Sequence, residues 1–222
     1  MEPEFWHERW RENRIGFHQS HANRFLTRYF ERLKGVRAGP IFVPLCGKSR
    51  DMAWLHDQGH EVVGVELSPL AAEAFFTEGG QACVGTLRDG FPEYHADGIT
   101  ILVGDYFHLT PARLGPVSAV YDRAALIAMP PDTRRDYAAH MAELLMPGAP
   151  VLLIAPFSLK DPQSGPPFAV SKEEVTDIFA PHFAIQVLER EREMAAVNPQ
   201  LAEQGLAWRE EAVYLLTRRE RP

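Results

Sequence analysis

The chain has 222 residues and a formal net charge of −7 at pH 7. With 45% hydrophobic and 24% charged residues it is long and apolar enough to enclose one sizeable core, so a single domain over residues 1–222 is expected. No apolar run approaches the roughly 18 residues of a membrane helix, the opening MEPEFWHERW lacks the order of a signal peptide, and the scattered arginines form no basic stripe; a cytoplasmic protein with neither membrane nor nucleic-acid partner is expected.

In chain order, residues 4–13 and 21–34 read as helices, the second with Phe25, Leu26, Tyr29, Phe30 and Leu33 at spacings of three and four and Ser20 as its cap. Together they suggest a helical cap over about 1–36, interrupted by the linker IGFHQS. After Gly39-Pro40 short apolar runs alternate with helical stretches: IFVPL, a helix from Ser49 to Gln58, EVVGVEL, a helix after Pro69, ITILVG, VSAVYD, a helix from Asp132 to Met146 and PVLLIAPF. Such alternation predicts a parallel sheet covered on both faces. A helix from Ser171 to Phe179 precedes FAIQVLER and EEAVYLLTR, two adjacent β-rich runs that predict an antiparallel edge.

In a doubly wound sheet ligands sit at the carboxyl ends of the strands, which here carry PLCGKSRD, ELSP and DRAAL. Gly47-Lys48-Ser49 looks like the end of a phosphate-binding loop, but Phe42 stands where that loop needs glycine; the dinucleotide pattern G-x-G-x-x-G also fails, because Gly47 stands alone. Cys46 and Cys83 are too few for a disulfide framework or a four-thiolate zinc site, and neither has the glycine-flanked setting of a nucleophile elbow. His7, His18 and His21 complete no metal set and read as linker or surface histidines.

Glu66 ends the second strand, where a carboxylate can accept from ribose hydroxyls; equally, acidic residues favour the helix start that follows. Trp6 and Trp10 share a helix face, suited to core packing or to ligand stacking. PFSLKDPQSGPPF, from Pro156 to Phe168, is a stiff loop of a length that commonly serves as a lid, or a plain connection.

FVPLCGKSRDMAWL, GHEVVGVELS, VYDRAAL, SGPPF and the opening EFWHERWRENRIGFHQ are similar, in the same order, to signature segments of the thiopurine S-methyltransferase family. The resemblance implies an α/β fold, the class I methyltransferase Rossmann-like three-layer sandwich, with a mostly parallel seven-stranded sheet and an antiparallel C-terminal edge. It implies S-adenosylmethionine as cofactor, contacted by Trp10 and Leu45, with Glu66 on the ribose hydroxyls, Arg123 on the methionine end, and Asp105 and Tyr106 by the adenine. Phe17, Pro166 and Pro167 would wall the pocket for a small-molecule thiol acceptor. A monomer that methylates thiopurines or other aromatic thiols is expected, the alternatives being selenium or tellurium acceptors or a non-catalytic S-adenosylmethionine-binding protein. The chain departs from the family pattern in its short connection into ITILVG and in Ile15-Gly16 before Phe17.

Overall fold

The structure, a computed structural model, describes residues 3–15, 18–34, 38–88, 90–158, 165–197 and 207–220. The chain forms two compact units, Met1–Tyr121 and Asp122–Pro222.

The first unit opens with α1 (Pro3–Arg11) and α2 (Arg24–Tyr29), the latter tightening into a 3-10 turn over Phe30–Leu33. The cap of α2 is Asn23, not the expected Ser20: its side chain accepts from the Phe25 N–H at 2.9 Å. Its own N–H donates to the buried Asp51 Oδ1 at 2.7 Å, so a contact 28 residues away in sequence fixes where the helix starts.

Then follow β1 (Ile41–Val43), α3 (Arg50–Asp57), β2 (Val62–Glu66), α4 (Pro69–Glu78), β3 (Val84–Arg88), β4 (Phe91–Ala96), β5 (Ile99–Val103), a 3-10 turn (Tyr106–His108), α5 (Pro111–Leu114) and β6 (Ala119–Arg123), whose last two residues begin the second unit. Ser49 and Ser68 cap α3 and α4, accepting from the N–H groups of Asp51 and Ala71, and Pro69 occupies the first turn of α4, where its missing N–H costs nothing. The strand order is β3-β4-β5-β2-β1-β6. The four strands β5, β2, β1 and β6 run parallel; β1 and β2 are buried along their whole length, which is why they read as unbroken apolar runs.

The segment before β5 is not the short connection expected from the sequence. It folds as an antiparallel hairpin, β3 with β4, and β4 pairs antiparallel with β5. Val84 and Leu87 of β3 are 55% and 75% exposed, so this edge strand presents no alternating buried face by which periodicity could reveal it.

The second unit contains α6 (Ala125–Ala128), a 3-10 turn (Pro131–Thr133), α7 (Arg134–Leu144), β7 (Pro150–Ser158), α8 (Lys172–Phe179), β8 (Phe183–Met194) and β9 (Trp208–Arg218). Its strands run β7-β9-β8, antiparallel throughout as expected of the C-terminal edge, with a bulge between Val187 and Glu189. Val175, Ile178 and Phe179 form the buried stripe of α8, and the Phe179 ring meets that of Phe183 edge-on at 5.7 Å. The described residues thus hold nine strands against the seven expected, the additional pair being β3 and β4. No helix among them is long and apolar enough to cross a membrane.

Candidate active site

Parallel strands bring the turns that follow β1, β2 and β5 to one end of the first unit's sheet. After β1 the chain turns sharply: Leu45 and Gly47 take positive φ values of 47° and 53°, and the Cys46 N–H still reaches the Val65 carbonyl at 3.0 Å. A left-handed leucine is uncommon and costs on the order of 1 kcal/mol, so the surroundings hold this turn in place. Part of the reason is Gly64 on β2, where a Cβ would lie 2.6 Å from Cys46 Sγ; only glycine lets the turn fold back this closely.

Glu66 is the centre of this end. It is 7% exposed, its Oε2 accepts from the Gly47 N–H at 2.9 Å and its Oε1 from the Ser68 N–H at 2.8 Å. One side chain thereby ties the turn after β1 to the turn after β2. Burial pushes its carboxyl pKa up, while the N–H groups of Ser68 and Gly47 pull it back by stabilising the anion. A carboxylate offers about four acceptor positions, so the two bonds leave capacity for further donors. Both single-residue readings of Glu66 therefore have a physical basis, since it does serve the turn that opens α4.

Beside it, Glu66 pairs in register with Val103 at the end of β5, and the Gly104 N–H donates to the Glu66 carbonyl at 2.8 Å. Asp105 follows, accepting from the Phe107 N–H at 3.0 Å, and Tyr106 is buried at 4% exposure. Trp10 is 8% exposed, and its ring lies 3.2 Å from where a Cβ on Gly47 would stand, so α1 lays an indole on the turn after β1. Trp6 is half-buried and meets Phe5 edge-on at 5.3 Å. Sequence reading missed Lys48, whose ammonium pairs with Glu78 at 2.6 Å and holds the turn to the end of α4. The Cys46 thiol, raised well above its ordinary pKa by burial and then by Glu66, is kept in its unreactive protonated form.

In the second unit the strand β6 ends at half-buried Arg123, and the chain then turns through Ala124, left-handed at φ 63°, into α6. The preceding Asp122 is fully buried and accepts from the Tyr137 hydroxyl at 2.7 Å; burial raises its pKa to about 7. Past the undescribed residues 159–164, Pro166 is half-buried and Pro167 exposed, and the Phe168 N–H donates to the Ile127 carbonyl at 2.8 Å, which fastens this segment beside α6. The expected loop from Pro156 is shorter at its start, because β7 continues to Ser158. Phe17 lies outside the described residues. Among those described, no cluster of His, Cys, Asp and Glu is arranged to hold a metal ion.

Asp122 gives a pH signature. Unfolded, an aspartate releases its proton near about pH 3.9, whereas here it holds the proton to about 7, so native stability falls as pH rises between those values. Asp122→Asn should therefore gain thermal stability relative to the wild type as pH is raised from about 4 to about 8. A difference in Tm that does not change with pH would show Asp122 to titrate as an ordinary carboxylate.

A parallel core with its ligand-facing turns at one end, edged by antiparallel strands, is also found in proteins of known structure. The crystal structure of an S-adenosylmethionine-dependent methyltransferase from Anabaena variabilis matches with a TM-score of 0.62 at 13% identity, covering 98% of this chain and 95% of that one. The fold is that of the S-adenosylmethionine-dependent methyltransferases. At the level of sequence, the thiopurine S-methyltransferase family model matches residues 1–219. Two relatives named thiopurine S-methyltransferase, from Methylococcus capsulatus and Nitrosospira multiformis, are 45% and 44% identical; the first alignment covers 97% of both chains and the second 99% of both. The chain belongs to the thiopurine S-methyltransferase family and is a methyltransferase that uses S-adenosylmethionine.

Proposed function

We propose that the chain transfers the methyl group of S-adenosylmethionine to the sulfur of a thiopurine or another aromatic or heterocyclic thiol. The observation that carries this reading is full-length similarity to relatives named for that reaction, over a chain whose Glu66 and first turn form one buried hydrogen-bonded unit. The donor set fits the cofactor. Glu66 keeps acceptor capacity for the two ribose hydroxyls, Asp105 and Tyr106 lie one strand further along for the adenine, and Leu45 and Trp10 flank the turn suited to the amino acid portion. Arg123 supplies a planar cation for the methionine carboxylate, a charge-assisted pairing that can be bidentate. Phe17, Pro166 and Pro167 wall the acceptor. The reading takes the chain as one methyltransferase domain, capped by its N-terminal helices and acting as a cytoplasmic monomer.

S-adenosylmethionine supplies, when bound, an electrophilic methyl group on a sulfonium. The new bond joins the acceptor sulfur to that methyl carbon as the bond to the sulfonium sulfur breaks, the thiol proton passes to solvent, and S-adenosylhomocysteine leaves. The residues have to position rather than react: in-line alignment of the two sulfurs accounts for most of the acceleration. A thiolate and a sulfonium neutralise one another, so walls of proline and aromatic side chains that exclude water favour the step. No covalent intermediate is involved, in keeping with a Cys46 held protonated beneath the turn.

The test is release of S-adenosylhomocysteine by the purified chain given S-adenosylmethionine and 6-mercaptopurine, with hypoxanthine, the oxygen analogue, as control. Turnover with the thiol and none with hypoxanthine is the expected result. Cofactor binding without turnover on 6-mercaptopurine or simple aromatic thiols would refute the acceptor class.

A further inference from the structure

Two side chains outside the cofactor set, Phe91 at the start of β4 and Arg113 in α5, close on the turn that carries Asp105 and Tyr106. The Phe91 ring lies against Gly104, where β5 gives way to that turn: a Cβ on this residue would overlap three ring atoms, the farthest at 2.9 Å. A glycine is what allows an aromatic ring so close to the backbone. The Arg113 guanidinium covers the ring, its Cζ 4.0 Å from the ring centroid, and its Nη1 donates to the His108 carbonyl at 3.0 Å. One planar cation thus stacks on an aromatic face and holds the last residue of the 3-10 turn, a pair of tasks that suits a guanidinium better than an ammonium. Thr110 fixes the root of that side chain by accepting from the Arg113 N–H at 3.2 Å.

The turn has few bonds of its own. Within it the His108 N–H reaches the Asp105 carbonyl and the Leu109 N–H the Tyr106 carbonyl, each at 3.0 Å. Asp105 Oδ1 accepts from the Phe107 N–H at 3.0 Å, whereas Oδ2 meets His108 Nδ1 only at 3.9 Å, beyond hydrogen-bond range. One carboxylate oxygen is therefore able to accept from a ligand, and its direction is fixed only as firmly as the turn is. An ionised carboxylate has no proton to donate, so an oxygen held in place tells a purine bearing an amino group from one bearing a carbonyl at the same position.

We propose that Phe91 and Arg113 are positioning residues for the adenine ring: they clamp the turn from Gly104 to His108 so that Asp105 Oδ2 accepts from the 6-amino group, and thereby set the preference for adenine over its oxo counterpart. The proposal rests on the assignment of Asp105 and Tyr106 to the adenine side of the cofactor.

The probes are S-adenosylhomocysteine and S-inosylhomocysteine, in which a ring carbonyl replaces the 6-amino group. Both are titrated into the full-length protein by calorimetry, with the Tm of each variant as the check on folding. The wild type should bind the adenosyl compound roughly tenfold more tightly or better, the worth of a charge-assisted hydrogen bond. Arg113→Gln and Phe91→Leu should reduce that preference to about threefold or less by weakening the adenosyl compound alone. Arg113→Lys, which keeps the charge but not the fork, should recover part of it. A role in stability only would weaken both compounds alike, so an unchanged ratio in Arg113→Gln overturns the proposal, and decides the matter even where Phe91→Leu fails to fold. A wild type that binds the two compounds equally overturns it as well. Asp105→Ala tells the positioning role from the adenine assignment. Loss of the preference there, with the ratio intact in Arg113→Gln, leaves the assignment standing and removes the positioning role; a wild-type ratio in Asp105→Ala removes both.

Discussion

Glu66→Ala is expected to weaken S-adenosylmethionine binding by about 1–3 kcal/mol, the cost of leaving buried hydrogen-bonding groups without partners. The structure adds a second consequence that position alone does not suggest. The same carboxylate holds the N–H groups of Gly47 and Ser68, so its removal also frees the turn after β1, in which Leu45 is held left-handed. The loss in affinity should therefore come with a loss in Tm. Glu66→Gln separates the two effects: the amide retains one oxygen for a backbone N–H but puts a donor where the ribose hydroxyls need an acceptor. It should recover part of the stability and little of the affinity. Calorimetric titration of both variants beside their melting curves is the measurement, and wild-type affinity in a folded Glu66→Ala protein would remove the ribose assignment.

Arg134→Met should cost about 3–5 kcal/mol of stability, the largest effect expected from a single substitution here. Arg134 is fully buried, yet it opens α7 in a stretch, DTRRDY, that looks solvent-facing. Its Nε donates to the carbonyls of Leu126 and Met129, each at 3.1 Å, and its Nη1 to the Ala169 carbonyl at 3.0 Å and to Glu174 Oε1 at 2.7 Å. One guanidinium thus ties the end of α6, the residue after Phe168 and the first turn of α8. Methionine can fill the volume but donates nothing, leaving three carbonyls and a carboxylate unserved. Glu174→Gln removes only the ion pair, at a partly exposed carboxylate, and should cost about 1 kcal/mol or less. Urea midpoints at constant m-value compare the two; a loss from Arg134→Met below about 1 kcal/mol would mean that water takes over the arginine's bonds.

The burial of Arg134 was not legible in the sequence. An arginine beside a second arginine and an aspartate carries no mark of burial, because its four acceptors come from segments 5 to 40 residues away. Asp122 is similar: the motif DRAAL drew notice for Arg123, whereas the buried acid before it owes its raised pKa to burial on a covered strand, against which the Tyr137 hydroxyl pulls by stabilising the anion. The edge hairpin β3–β4 escaped for a different reason, since an exposed strand need not alternate.

What the sequence determined by itself was the parallel core and the starts of α3, α4 and α8. Buried strands have to be apolar throughout, and Ser49, Ser68 and Ser171 satisfy helix N–H groups from the adjacent residue, so both signals are local and survive in one dimension. Glu66 was visible for the same reason, because a strand of known direction places its last residue at the ligand-facing end. Tertiary structure alone decided what Glu66 holds, which residue caps α2, and where a buried arginine would lie. Those features are made by side chains meeting across long sequence separations, where free energy depends on proximity in space rather than on order along the chain.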